Sequence, residues 1–157
     1  MALKATIYRA ELQVSDMDRH YYATHTLSLA QHPSETDERL GSDDEPDLWR
    51  SWLSGEIALW IDLGKPDESR IRRACGRARE VVVIGYSGRA FDLWWEKNAA
   101  ALARCGNLRV LALPAGAATE LAGLLARSMR LQCLLQDGEL QLIGESASVS
   151  LAPVERK

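Results

Sequence analysis

Cysteine is scarce in this chain and carries no pattern. The three present, Cys75, Cys105 and Cys133, lie far apart, none forms a Cys-x-x-Cys pair, and the count is odd. This argues against a disulfide framework and against a thiolate zinc site. Histidine is equally thin: His20, His25 and His32 all fall in the first fifth, with no His-x-x-x-His spacing, so Cys/His catalysis finds no support. No apolar run approaches the ~18 residues of a membrane span. The opening, MALKATIYRAELQV, is broken by Lys4, Arg9 and Glu11 and does not read as a signal peptide. Neither sign of charge dominates. Nineteen basic against twenty-two acidic residues give −3, so no general field draws in nucleic acid or anionic lipid, and any such contact needs a local patch. The expectation is a cytoplasmic chain with no membrane partner.

What is present suits one globular domain over residues 1–157. The 46% hydrophobic and 26% charged residues lie near the globular average, which argues against intrinsic disorder. A chain of 157 residues buries roughly 68–70% of its unfolded surface, so it needs no metal or disulfide staple.

The hydrophobic periods predict a hairpin first, over residues 5–16 and 21–31. Ser34 then opens a helix signal, with Asp37 three residues on, but no apolar helix follows. After Leu40 comes Gly41-Ser42-Asp43-Asp44-Glu45-Pro46 instead. Either a deletion or residues missing from the sequence would account for this. Beyond it the pattern predicts a short helical stretch at Leu48–Leu53, a buried strand at Ile57–Leu63 and a helix over Pro66–Glu80. A strand at Val81–Gly85, a helix over Arg89–Ala103 and a strand at Leu108–Leu113 follow. A helix at Thr119–Met129, a hairpin turning at Asp137-Gly138 and an edge strand at Val149–Leu151 close the chain. The sum is α/β, a mixed central sheet flanked by helices.

Several glycine motifs fail their chemistry. Gly64-Lys65 is followed by Pro66 where a P-loop needs Ser or Thr. Gly85-Tyr86-Ser87-Gly88 lacks the three-glycine spacing of a dinucleotide site. It still ends a strand and opens a helix, so Ser87 and Arg89 are candidates for holding a phosphate or carboxylate. A plain tight turn is the alternative.

The acids say more. Asp62 is an ionisable group at the C-terminal end of an otherwise apolar strand, where open α/β sheets place ligands. A carboxylate there is costly unless paired or metal-bound. Together with an acid from the run Asp43, Asp44, Glu45, Asp47 and with Lys65 nearby, it offers a site for Mg²⁺ and a phosphate oxygen. The alternative is an ion pair of Asp62 with Lys65 or an arginine. On the next helix Arg70, Arg73 and Arg77 share one flank and can track a phosphate backbone, or else form a solvated face.

The segments MALKATIY, HPSETDER, DDEPDLW, LWIDLGKPDESRIRRAC, Trp94-Trp95 and SMRLQCLLQDGELQLI resemble the YaeQ family in order and over nearly the whole chain. That resemblance implies a variant of the PD-(D/E)XK, restriction-endonuclease-like fold. It implies a metal-binding set of Asp44 or Glu45 with Asp62, Glu35 as a third acid, and Lys65 as the nearest candidate for the superfamily lysine. Gly64 stands where that lysine is expected, and Lys65 is one residue too far for a regular strand to put it on the face of Asp62. The family also carries an extra helix and strand between HPSETxER and DDEP, so a discontinuity is expected between Leu40 and Ser42. Two functions compete: Mg²⁺-dependent hydrolysis of a nucleic-acid phosphodiester, with Asp44, Glu45, Asp62 and Lys65 as catalytic residues, and a non-catalytic module for a protein partner, with Trp49, Trp52 and Trp60 lining a cleft.

Overall fold

The computed structural model describes residues 6–31 and 45–157. In chain order the elements are β1 (Thr6–Asp16), β2 (Tyr21–Gln31), β3 (Leu48–Ser51), β4 (Ile57–Leu63), α1 (Glu68–Arg77), β5 (Ala78–Gly85) and α2 (Arg89–Leu102). Then come β6 (Leu108–Ala112), α3 (Ala117–Ala122), β7 (Ser128–Gln136), β8 (Glu139–Ile143), β9 (Ser148–Leu151) and β10 (Val154–Glu155). The strands do not form the single central sheet expected from the pattern. They divide into two five-stranded mixed sheets, each in its own compact unit.

The first unit holds the sheet β2-β1-β7-β8-β9 together with α3. Its ladder couples the two ends of the chain, because β1 runs parallel to β7 with Arg9 opposite Ser128. Register puts Ala10, Leu12 and Val14 beside Met129, Leu131 and Cys133 on one face, and Cys133 continues to Leu142 and Val149. Cys133, Val149 and Leu151 are buried there. The opposite face carries Glu11, Gln13, Arg130 and Gln132. This alternation is the period-2 signature of a sheet covered on one side. Asp137 and Gly138 both take positive φ, 52° and 78°, as a tight two-residue hairpin turn requires.

The second unit holds the sheet β10-β6-β5-β4-β3 with α1 and α2. Here β4, β5 and β6 are parallel, and β3 pairs antiparallel with β4 at one edge. Trp60, Val81, Val83, Leu108 and Val110 meet Ile71, Ala74, Phe91 and Leu102 of the helices in one core. Gly85 is needed at the end of β5, since a Cβ there would lie 2.2 Å from the Phe91 ring. The C-terminal strand β10 seals the other edge. Val110 donates its N–H to the Lys157 carbonyl at 2.9 Å, and Arg109 bonds Glu155 at 2.9 Å. That contact, through its hydrogen bond first, holds the Arg109 guanidinium charged beyond its ordinary range.

The helix expected over Leu48–Leu53 is instead the strand β3, whose register with β4 runs from Leu48 opposite Ile61 to Arg50 opposite Leu59. Long-range pairing has overridden a neutral local propensity. The helix signal at Ser34 and the expected discontinuity between Leu40 and Ser42 lie outside the described residues.

Candidate functional site

Along β4, Ala58, Trp60 and Asp62 alternate onto the helix-covered face and are all buried. The strand therefore delivers a carboxylate, Asp62, with 0% of its surface exposed. An isolated charge in such a place would be untenable. Arg70, one turn into α1, resolves the problem. Its Nε donates to Asp62 Oδ2 at 2.9 Å and its Nη2 to Oδ1 at 2.7 Å, a two-pronged match of planar groups. The same Nη2 donates to the Glu45 carbonyl at 2.7 Å and stands 3.7 Å from Asp47 Oδ1. Asp47 in turn accepts the Leu63 N–H at 2.7 Å. One guanidinium thus ties together β4, α1 and the approach to β3.

The same corner holds Trp60, with the guanidinium carbons of Arg70 and Arg77 at 6.0 and 5.6 Å from its ring. Both are within reach of a cation–π attraction. The Trp60 indole N–H is buried and has no hydrogen-bond partner among the described residues.

Of the residues nominated from sequence, Asp62 sits where the pattern puts it, but in the ion-pair role. Arg70 is a correction: it leaves the solvent flank assigned to it beside Arg73 and Arg77 and is nearly buried against Asp62. Glu45 is exposed and contributes its backbone carbonyl, not its carboxylate. Lys65 is exposed beyond the strand end and is not a partner of Asp62. Ser87 and Arg89 are exposed at the start of α2. Arg73 is exposed on α1. Glu35 and Asp44 lie outside the described residues. Among the described residues no three His, Cys, Asp or Glu side chains gather as a metal site. Among the described donors, the Arg70 guanidinium holds both oxygens of Asp62 and brings a positive charge beside them.

A family model described as "YaeQ protein" matches residues 1–42 and 39–153. The chain belongs to the YaeQ family. It is 39% identical over 163 residues to uncharacterized YaeQ proteins of Salmonella typhi and of Escherichia coli K12, covering 90% of this chain and 90% of each relative. It is similar to the crystal structure of a YaeQ protein from Xanthomonas axonopodis pv. citri, with TM-score 0.89, 51% identity and coverage of 98% and 99% of the two chains. A YaeQ protein from Pseudomonas syringae shares the fold at TM-score 0.84 and 23% identity, over 98% and 96% of the chains. The 163 aligned positions exceed the 157 residues of this chain, so the relatives have positions without a counterpart here. The two segments of the YaeQ match meet at 39–42, the junction where the sequence pattern places a missing stretch.

Sequence reasoning missed two partners in this corner. Helix periodicity puts Arg70 on an arginine flank but does not show which arginine faces a buried acid. Asp47 was passed over in favour of Asp44 and Glu45. Only the structure supplies its signal: with Leu48 opposite Ile61, the next residue outward, Asp47, falls across from Asp62, a register that the helix expected over Leu48–Leu53 does not contain. No helix among the described residues is long and apolar enough to cross a membrane.

Proposed function

We propose that this YaeQ-family chain is a non-catalytic interaction module that binds a protein partner, not a Mg²⁺-dependent nuclease. The observation that carries this reading is the two-pronged Arg70–Asp62 pair. It occupies both oxygens of Asp62, the acid that a restriction-endonuclease-like reading would give to a metal, and Gly64 stands where that reading expects a lysine. The partner surface is the edge strand β3 and the turn after it. Leu48, Trp49, Trp52 and Leu53 are all exposed there, and among the described residues β3 is an edge of its five-stranded sheet. An edge strand with large apolar side chains is suited to taking up an extended peptide segment, through main-chain bonds and aromatic contacts.

The test has two arms. The full chain is incubated with Mg²⁺ or Mn²⁺ and labelled single- and double-stranded DNA and RNA, and no cleavage is expected. Cleavage that disappears in Asp47→Asn or Asp62→Asn would overturn the proposal and restore metal-dependent phosphodiester hydrolysis on a PD-(D/E)XK-like fold. In the second arm, cross-linked partners are compared between the natural chain and Trp49→Ala/Trp52→Ala. Partners held equally well by both would remove β3 as the docking edge.

A further inference from the structure

In the second unit, the sheet edge away from β3 is closed by β10, which is two residues long and pairs Val154 with Ala112 and Glu155 with Leu111. Just past it, Arg156 donates its N–H to the Val110 carbonyl at 2.7 Å, and the Val110 N–H is bonded to the Lys157 carbonyl at 2.9 Å. Leu108, Val110 and Ala112 of β6 are buried in the core, whereas none of residues 153–157 belongs to that core cluster. Charge holds the segment instead. Alternation sends successive side chains to opposite faces of a sheet, and here each meets a complementary group. Arg109 Nε donates to Glu155 Oε1 at 2.9 Å on one face, and Arg156 Nη2 donates to Asp92 Oδ1 of α2 at 2.8 Å on the other. Lys157 Nζ donates to the Ala103 carbonyl at 3.3 Å, where α2 ends and its dipole is negative. Glu80, 3.6 Å from Arg109 Nη1, holds that guanidinium on the edge from the neighbouring strand. These ion pairs are partly exposed, so salt screens them. The covalent link of the segment runs through Ala152 to β9, which belongs to the other compact unit. Within its own unit the segment is held by noncovalent bonds alone, as a docked peptide is.

We propose that the outer edge of β6 is a peptide-docking site, that residues 153–157 are its resident occupant, and that a protein partner presenting an extended segment of the order apolar–acidic–basic–basic takes their place. Main-chain bonds to residues 110–112 supply the affinity, and the side-chain partners supply the selection. The acid of the incoming segment meets Arg109, its first base meets Asp92, and its second base meets the end of α2. This edge is separate from β3, so the proposal stands independently of the surface assigned above.

The probe is a fluorescein-labelled peptide with the sequence of residues 152–157, Ala-Pro-Val-Glu-Arg-Lys, titrated into the full chain and followed by anisotropy. In the natural chain the tethered segment competes with it. The full-length variant Glu155→Ala/Arg156→Ala, checked for folding by circular dichroism, should bind the peptide about tenfold more tightly or better, because its own segment competes less. Added salt should weaken that binding, and a peptide with its acid and bases exchanged, Ala-Pro-Val-Arg-Glu-Glu, should not bind. Equal affinity of the natural chain and the variant, no binding by either, or equal binding of the charge-exchanged peptide overturns the proposal. Dimerisation of the variant in place of peptide binding also overturns it, by giving the edge to a second copy. Hydrogen exchange supplies a reading on the natural chain that no variant disturbs. The Val110 amide should exchange through a local opening that about 0.5 M NaCl accelerates, while the Val81 amide, bonded to the Asn107 carbonyl, is unaffected. Matching rates at the two amides, unmoved by salt, would show that residues 153–157 never leave the edge.

Discussion

Trp49 and Trp60 stand opposite each other in the β3–β4 register, yet the first is 61% exposed and the second 1%. Opposed residues of an antiparallel pair point to the same side of the sheet. Among the described residues the helical layer that buries Trp60 therefore ends at β4 and does not cover the edge strand. Replacing Trp49 or Trp52 by Ala should leave stability within about 0.5 kcal/mol of the parent, as for an exposed position. Trp60→Ala should cost about 3–5 kcal/mol. Urea midpoints of the three variants decide this, and a large loss at Trp49 would mean that β3 is not an open edge.

Breaking the Asp62–Arg70 pair from one side should be far worse than removing it whole. Arg70→Ala leaves the buried Asp62 carboxylate without its guanidinium and should cost roughly 3–5 kcal/mol. The double variant Asp62→Leu/Arg70→Met should recover most of that loss. A double-mutant cycle measures the coupling. Additive losses would show that the pair contributes nothing beyond its separate packing.

At the end of β5 the prediction is steric. Gly85→Ala places a methyl group 2.2 Å from the Phe91 ring, so α2 or the strand must shift. A loss of about 3 kcal/mol is expected, at the upper end of overpacking effects. In a Phe91→Ala background the same change should be nearly neutral, because the ring is gone. Equal losses in both backgrounds would point to a backbone cause instead.

Alkali should weaken the fold through Cys75. Its thiol is raised from 9.0 to about 12, chiefly by burial and further by Cys105. A group whose folded value lies above its unfolded one stabilises the fold fully below the unfolded value and loses that contribution as pH climbs. Stability should therefore fall between about pH 9 and pH 12, a window set by those two values. Cys75→Ala should flatten this part of the urea-midpoint profile. An unchanged slope in the variant would assign the effect to other groups.

Much of the second unit was legible in the sequence, because its elements announce themselves locally. Ile57–Leu63 is β4 as the apolar run predicts, and the strand expected at Leu108–Leu113 is β6, Leu108–Ala112. What failed depends on distant partners. β7 begins at Ser128, inside the helix expected over Thr119–Met129, because β1 offers it a parallel ladder from Arg9 onward. The helix expected to reach Glu80 stops at Arg77, and β5 starts at Ala78, paired with Ile57. β10 is two residues long and has no local signature. The site follows the same rule. Asp62 stood out as one acid on an apolar strand. Which cation would meet it depended on how α1 rolls over the sheet, and no spacing within the helix distinguishes Arg70 from Arg73 in that respect.

The parallel pairing of β1 with β7 also constrains how the molecule is made. The hairpin β1–β2 leaves the ribosome first, but the strand that flanks β1 is not synthesised until residue 128. The second unit is, apart from its last residues, encoded entirely in between. The nascent hairpin must therefore persist as a two-stranded ribbon, a form marginal on its own in water, while its neighbour folds ahead of it. During that interval the edge of β1 awaiting residues 128–136 is an exposed template for pairing with a wrong strand.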